Sequence, residues 1–202
     1  MPRIAVIDYG MGNLRSVQKA FEHIGIAAEI TSDASVLRQA DGAVLPGVGA
    51  FSDGMKNLSD TGLIPSINDF IASGRPFLGI CLGLQLLFDS SLEGGLFTGL
   101  GIMRGRIVPL PRDRIVPHMG WNNLNVLQPA PLFKGLPEEP YVYFVHSYQA
   151  IPEDEGIITA TAEYGIAVTA AVQSGNVYAT QFHPEKSGDV GLQILKNFGG
   201  LL

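Results

Sequence analysis

Short apolar runs alternate with amphipathic stretches over the first part of the chain. Runs at residues 4–7, 28–31, 42–45 and 77–80 are typical of buried strands. The stretches 14–24, 36–39 and 58–71 carry apolar residues at helical spacing, and the first is flanked by Asn13 as a helix N-cap and Gly25 as its end. Another helix is predicted from Leu82 through Phe88. This alternation predicts a mostly parallel sheet with right-handed crossovers.

Beyond residue 90, glycine and proline become frequent and the apolar segments are typical of strands. The predicted strands lie at 102–108, 123–126, 141–145, 157–162, 167–173 and 176–182. Gly175 and Asn176 suggest a hairpin between the last two. A final helix at 190–198 is expected to cover a sheet edge. The fold class expected is α/β, with a mostly parallel, flavodoxin-like central sheet flanked by helices and an added antiparallel β-rich part, in a single domain over residues 1–202.

Composition supports one compact domain, because 202 residues can bury a sizeable core. With 46% hydrophobic and 16% charged residues, the chain resembles neither disordered nor membrane proteins. The short N-terminal apolar run is not a signal peptide, and a single cysteine fits a reducing compartment, so we expect a cytoplasmic protein. The net charge of −6 argues against nucleic acid or an anionic membrane as the main partner.

Cys81 stands where the chain changes from extended to helical, with Gly79 and Gly83 two residues to either side. A nucleophile elbow needs this arrangement, because side chains at the flanking positions of so tight a turn would collide. The helix N-terminus behind Cys81 also favours thiolate over thiol. The alternative is that a lone cysteine is a small buried hydrophobe. This stretch alone leaves both interpretations open.

A nucleophilic cysteine needs a base, and the chain has four histidines: His23, His118, His146 and His183. His118 is expected in a loop and His146 at a strand end. His183 has the best context, because a strand ends there, Pro184 follows, and Glu185 lies two residues on and faces the same way. Glu185 can then orient the ring while its other nitrogen faces the thiol. We predict Cys81, His183 and Glu185 as catalytic; a strand-end histidine beside an exposed glutamate is the alternative.

Acyl transfer also needs donors for an oxyanion. The amide of Leu82 is one, and the glycine-rich loop at 46–54 offers the amide of Val48 or Gly49 as the second. Gln85 lies four residues after Cys81 on the same helix face and could hold a polar substrate. The alternatives are a tight structural turn at 46–54 and a buried glutamine satisfied by backbone.

Two glycine motifs that resemble phosphate loops fail on inspection. Gly10 and Gly12 follow a strand, but Arg15 stands where the dinucleotide fingerprint needs a small residue. The segment 49–54 has the spacing of a nucleoside-triphosphate loop, but Met55 stands at the lysine position. No nucleotide cofactor is predicted.

Taken together, the motifs resemble the class I, or triad, glutamine amidotransferases. The elbow Gly-x-Cys-x-Gly-x-Gln occupies 79–85, and His-Pro-Glu occupies 183–185. The segments 8–14, 46–51, 118–122 and 144–148 are similar to the branch of this family that serves imidazole glycerol phosphate synthase in histidine biosynthesis. The resemblance spans nearly the whole chain, and only residues 90–114 receive no role.

The resemblance implies that Cys81 attacks the side-chain amide of glutamine, with His183 as base and then proton donor to ammonia, and Glu185 as orienting group. Water then hydrolyses the thioester to glutamate, and this chemistry needs no metal or other cofactor. The residues implied in substrate binding are Gly49, Gln85, His146, Ser147 and Tyr148.

The same resemblance implies a partner chain. Ammonia would pass to a synthase, or cyclase, subunit in a heterodimer that makes imidazole glycerol phosphate and an aminoimidazole carboxamide ribotide. Met119 and Trp121 are the expected interface anchors, with Asn13 and Lys186 as polar neighbours, although Trp121 could instead be a core aromatic. Two further alternatives are a glutaminase for another synthase, such as those for anthranilate or pyridoxal phosphate, and a non-catalytic thiol sensor or interaction protein.

Overall fold

A computed structural model describes residues 2–111 and 113–202. In chain order the strands are β1 Arg3–Ile7, β2 Ala27–Thr31, β3 Gly42–Gly47, β4 Phe77–Cys81, β5 Phe88–Ser91, β6 Phe97–Thr98, β7 Met103–Pro109, β8 His118–Asn123, β9 Asn125–Val126, β10 Tyr141–His146, β11 Tyr148–Pro152, β12 Ile158–Glu163, β13 Ala167–Ser174 and β14 Val177–Thr180. The helices are α1 Leu14–His23, α2 Ala34–Gln39, α3 Phe51–Asp60, α4 Ile64–Ala72, α5 Leu82–Leu86 and α6 Gly188–Gly199.

The central sheet has eight strands in the order β2-β1-β3-β4-β14-β13-β12-β9. The first five strands run parallel, and β13, β12 and β9 continue the sheet antiparallel. The strands of the described residues also form a four-stranded sheet, β11-β7-β5-β6, and a two-stranded ribbon of β8 and β10. The predicted α/β class, mostly parallel with an added antiparallel part, is confirmed.

The parallel strands are apolar throughout because helices cover both faces of the sheet. Along β1, Ala5 and Ile7 face a core shared with α2, α3, α4 and α5, whereas Ile4 and Val6 face a core shared with α1 and α6. The four-stranded sheet extends the first core, and the β8–β10 ribbon extends the second. The functional residues discussed below lie where these layers meet the ends of the parallel strands.

The last helix does not cover a sheet edge, as the sequence suggested. The ring of Phe198 on α6 lies 6.2 Å, between centroids, from Phe21 on α1 and 6.2 Å from Tyr178 on β14. Since β14 is an inner strand, α6 packs across the middle of the sheet. The reason is that its apolar side chains are buried best against the wide central face.

Several predicted boundaries are wrong for tertiary reasons. The helix after Cys81 stops at Leu86, because the carbonyl of Leu87 accepts backbone hydrogen bonds from residues 102 and 103, and Phe88 enters β5. The glycine-rich loop shrinks to residues 48–50, because β3 continues through Gly47 and α3 begins at Phe51. His118 begins β8 instead of lying in a loop, since β8 pairs with β10 along its whole length.

Four strands, β5, β6, β8 and β11, were not predicted. In the part of the chain that the structure describes, no helix combines the length and the apolar character needed to cross a membrane.

Candidate active site

Cys81 ends β4 and directly precedes α5. Its φ of 55° makes it the one non-glycine residue with a positive φ among those described. A left-handed backbone costs free energy in any residue with a Cβ, and such strain is concentrated at functional sites. The residue held in this backbone conformation lines a cavity, which is described below.

The two glycines around Cys81 have contacts that exclude a side chain. A Cβ at Gly83 would lie 1.8 Å from the carbonyl oxygen of Leu45 on β3, and one at Gly79 would lie 2.9 Å from the carbonyl oxygen of Gly83. Real Cβ atoms do not approach backbone so closely, so glycine at 83 lets α5 pack against β3 and glycine at 79 lets it pack against β4. The turn predicted from the sequence is present.

Strand register brings the other site residues to Cys81. Gly47 lies opposite Cys81 in the β3–β4 pair, so the residues after β3, Val48 and Gly49, lie beside the start of α5. Thr180 lies opposite Ile80 in the β4–β14 pair, so Gln181 comes next to Cys81. The side-chain amide of Gln181 donates to the Cys81 sulfur across 3.7 Å.

His183 and Glu185 form a buried pair just beyond β14. Nδ1 of His183 lies 2.8 Å from Oε1 of Glu185, and the two side chains are 2% and 1% exposed. The backbone N–H of His183 donates to the Tyr143 carbonyl on β10, and the Ser187 hydroxyl donates to the His183 carbonyl. These bonds fix the backbone that carries the ring.

Burial lowers the pKa of His183, but interaction with the Cys81 and Glu185 side chains raises it more, to about 9. The His183 ring is therefore protonated on both nitrogens and positively charged at neutral pH. Nε2 of His183 is buried and makes no hydrogen bond to any described residue, whereas Nδ1 is held by Glu185. Nε2 is thus the ring nitrogen left without a partner, and the residues His183 and Cys81 line the same cavity.

A cavity of about 370 Å³ opens above Cys81. Its lining residues are Val48, Gly49, Cys81, Leu82, Gln85, Glu93, Pro117, Val145, His146, Ser147, Tyr148 and His183. The predicted oxyanion and substrate-binding residues all lie on this wall, and Glu185 stands behind His183. Glu93, Pro117 and Val145 were not predicted.

Two of the lining side chains are already engaged with the protein. The Gln85 amide nitrogen lies 3.1 Å from Oε1 of Gln181 and 3.4 Å from the carbonyl oxygen of Tyr148. Both ring nitrogens of His146 are bonded, Nδ1 to the Tyr148 carbonyl at 2.8 Å and Nε2 to the ring of His118 at 3.0 Å. The nitrogens of His146 are therefore occupied within the protein.

The family model described as glutamine amidotransferase class I matches residues 5–199. The chain belongs to this family. Among its relatives, the imidazole glycerol phosphate synthase subunit HisH of Syntrophotalea carbinolica is 56% identical over 205 residues, covering 98% of this chain and 100% of that protein. The subunit of the same name from Geobacter sulfurreducens is 51% identical, covering 98% and 99%. The resemblance seen in the motifs is confirmed.

Solved structures agree with the class I amidotransferase fold. PurLQS from Thermotoga maritima superposes with a TM-score of 0.78 at 19% identity, over 98% of both chains. A structure described only as a glutamine amidotransferase gives 0.76 at 21% identity, over 96% of this chain and 98% of that one. At these identities the likeness concerns the fold.

Glu93 is the charged group in this amidotransferase's cavity that the sequence did not reveal. Its Oε2 accepts the backbone N–H of Phe51 at 2.8 Å, which ties residue 93 to the start of α3. Residues 90–114 contain no motif that points to it. Gln181 was also missed, although it could have been found, because it precedes His183 by two residues at the end of the strand predicted at 176–182.

The four predicted interface residues differ in exposure. Met119 is 62% and Trp121 57% exposed, and Lys186 is exposed as well, whereas Asn13 is half-buried and accepts the Ser16 hydroxyl. The Trp121 ring meets Tyr143 edge-on at 6.1 Å and lies beside Gly188, two residues after Lys186. Trp121 is thus a surface residue of the amidotransferase and not a core aromatic.

Over residues 2–111 and 113–202, no group of three or more His, Cys, Asp and Glu side chains is arranged to hold a metal ion.

Proposed function

We propose that this chain is the glutaminase subunit of an imidazole glycerol phosphate synthase. The observation that carries the proposal is the convergence of Cys81 and the His183–Glu185 pair on one cavity. The chain is also more than half identical, over nearly its full length, to relatives that carry this subunit's name. Its substrate is L-glutamine.

In the first half of the reaction, the Cys81 sulfur attacks the side-chain amide carbon of glutamine as a thiolate, its proton having passed to His183. The developing oxyanion accepts hydrogen bonds from the amide of Leu82 and from that of Val48 or Gly49. His183 carries a proton at neutral pH, and its Nε2–H gives that proton to the departing nitrogen, so ammonia leaves and a thioester remains. Glu185 keeps the other ring nitrogen in place throughout.

In the second half, water attacks the thioester carbon. His183, now neutral, takes a proton from that water, and the bond between carbon and sulfur breaks to release glutamate. The same oxyanion donors serve both steps, and the ring returns to its starting charge.

The cavity suits an amino acid with an amide tail. Glu93 places a carboxylate on the wall, which matches the α-ammonium of glutamine. Gly49, Gln85, Ser147 and Tyr148 surround the remaining space, and Gln85 contributes chiefly by holding the Tyr148 carbonyl in place.

The ammonia is used by a cyclase subunit that docks around the cavity mouth. Met119 and Trp121 supply exposed apolar surface on β8, and Lys186 supplies a charge two residues before Gly188, which the Trp121 ring approaches. Asn13 precedes α1, which contacts the 184–186 turn, so it lies at the border of the same surface. We place this heterodimer in the cytoplasm, in accord with a chain whose single cysteine forms no internal disulfide.

The test measures glutamate release by the chain alone and by the chain mixed with an imidazole glycerol phosphate synthase cyclase. We expect release in the mixture, and a loss of about a thousandfold or more in Cys81→Ala and Cys81→Ser, because neither offers a competent nucleophile. Both variants should remain folded. His23→Phe, at an exposed histidine on α1, serves as the control and should keep full activity.

Two outcomes contradict the proposal. One is the absence of glutamate release by both the chain and the mixture. The other is equal activity in Cys81→Ala and in the parent chain.

A further inference from the structure

A chain of hydrogen bonds crosses the interior of the β8–β10 ribbon and ends at the cavity. Nδ2 of Asn122 lies 3.2 Å from Nε2 of His118, and Nδ1 of His118 lies 3.0 Å from Nε2 of His146. Nδ1 of His146 then lies 2.8 Å from the carbonyl oxygen of Tyr148. We refer to these three side chains, Asn122, His118 and His146, as the imidazole chain.

The two ends of the imidazole chain fix the position of every proton within it. The Tyr148 carbonyl can only accept, so Nδ1 of His146 carries a hydrogen. The Asn122 amide nitrogen can only donate, so Nε2 of His118 carries none. The hydrogen between the two rings therefore sits on Nδ1 of His118. Both rings are neutral, and all the bonds point toward Tyr148.

The surroundings of the rings favour this neutral state. Burial lowers the pKa of His118, and burial together with the neighbouring His118 and His183 rings lowers the pKa of His146 to about 4. His118 is stacked between Phe144, at 4.6 Å between centroids, and Tyr164, at 4.1 Å. The rings therefore have one orientation and one protonation state.

The acceptor at the end of the imidazole chain is part of the cavity wall. Ser147 and Tyr148 both line the cavity, and the Tyr148 carbonyl also accepts the Gln85 amide from α5, the helix that follows Cys81. One oxygen thus joins the ribbon to the helix behind the nucleophile. A shift of this carbonyl would move the wall that faces the substrate.

We propose that His118 and His146 are positioning residues for the glutaminase reaction, which hold the Tyr148 carbonyl, and with it the wall formed by Ser147 and Tyr148, in the geometry that binds glutamine. The proposal rests on the proposed function. Neither ring binds the substrate through a nitrogen atom, because all four nitrogens are used within the imidazole chain.

Two substitutions at His118 separate hydrogen bonding from packing. His118→Phe keeps an aromatic ring between Phe144 and Tyr164 but cannot donate to His146. His118→Asn loses the stacking, but its amide nitrogen can occupy the place of Nδ1 and donate to His146. If His118 acted only through packing, His118→Phe would affect the glutaminase reaction less than His118→Asn. If His118 acts as a hydrogen-bond donor, His118→Asn affects the reaction less.

The measurement is the glutamine KM and the kcat for glutamate release by each variant with the cyclase present. For His118→Phe we expect the glutamine KM to rise about tenfold and kcat to change less than about threefold. The reason is that Nε2 of His146 loses its donor, which disturbs the wall formed by Ser147 and Tyr148 but not the reacting atoms. For His118→Asn the KM should stay within about threefold of the parent, although thermal unfolding should show it to be the less stable variant. His23→Phe is the matched control at an exposed histidine.

A second readout does not depend on activity. Nitrogen-15 NMR of the imidazoles at pH 7 should show His118 and His146 neutral, each with its hydrogen on Nδ1. A hydrogen on Nε2 of His146, or a charged His146 ring, would contradict the imidazole chain. A glutamine KM that is raised more in His118→Asn than in His118→Phe, in the order of their loss of stability, would overturn the positioning role.

These failures differ from failure of the proposed function, which would appear as a parent chain that releases no glutamate with its cyclase.

Discussion

The two sides of the candidate site are built by different means. On the Cys81 side, backbone lies against backbone: Gly83 touches the Leu45 carbonyl, and Gly79 faces Gly83 across the turn. On the His183 side, side-chain hydrogen bonds hold the geometry, with Glu185 on the ring and the imidazole chain behind the cavity wall. The Cys81 side should therefore be sensitive to any added side-chain volume. The His183 side should be sensitive mainly to substitutions that change a hydrogen-bond donor or acceptor.

The largest effect on stability is expected for a substitution at Gly83, on the Cys81 side. Gly83→Ala would place a Cβ 1.8 Å from the Leu45 oxygen, so α5 must move off β3. We expect a loss of about 3 kcal/mol or more in the free energy of unfolding, because rigid backbone cannot yield as a side chain can. Denaturant unfolding measures the loss.

Gly54→Ala on α3 is the matched control for Gly83→Ala. Its Cβ would meet only the ends of the Leu82 and Leu86 side chains, at 3.1 and 3.3 Å. Crowding there is offset by the better helix propensity of alanine, worth about 1 kcal/mol, so stability should change little. Equal losses in both variants would show that backbone contact does not distinguish the Cys81 side.

The next effect concerns the hydrogen bond that orients His183. In Glu185→Gln, the amide can donate to Nδ1 and so stabilise the tautomer with its hydrogen in the wrong place. We expect glutamate release to fall about a hundredfold or more, with the fold intact, because proton transfer at Nε2 is lost. Steady-state kinetics with the cyclase present measures this, and full activity would remove Glu185 from the mechanism.

The same variant has a signature in pH. The folded-state pKa of His183 is raised from 6.5 to about 9, so its contribution to stability is complete below pH 6.5 and is lost as pH rises through 9. Glu185→Gln removes one cause of that increase. The free energy of unfolding should therefore fall less steeply between pH 6.5 and 9 in the variant than in the parent chain.

A smaller effect is expected on the outer surface of the ribbon. Trp121→Ala should weaken cyclase binding about thirtyfold, as loss of an interface anchor worth about 2 kcal/mol does. The stability of the isolated chain should change little, because Trp121 is 57% exposed. Leu127→Ala, equally exposed but next to the edge strand β9, is the control, and equal losses of affinity would exclude Trp121 as an anchor.

The same difference between the two sides explains what the sequence could predict. Gly79, Cys81 and Gly83 are close in the chain, and so are His183 and Glu185, so spacing alone indicated each group. The apolar runs of the parallel strands were equally local signals. The two groups come together because β4 and β14 are neighbouring strands in a fixed register, and spacing within either segment does not give that register.

What the sequence missed depends on contacts between distant segments. β8 has one buried side chain, His118, so its pattern lacks alternation, and its conformation comes from pairing with β10. Glu93 lines the cavity with its carboxylate bound to the backbone N–H of Phe51 at the start of α3, a contact that spacing along the chain does not indicate. The short α5 ends where β-pairing takes over, although the helical spacing continues.

Cys81 is the only cysteine of the chain, and it lines the floor of the cavity. A thiol reagent shaped like glutamine therefore has one sulfur atom to modify, and every label incorporated reports a site open to its ligand. The number of labels per protein molecule therefore gives the fraction of molecules whose site can bind the glutamine-like reagent. Rates can then be expressed per working site without any engineered cysteine or background correction.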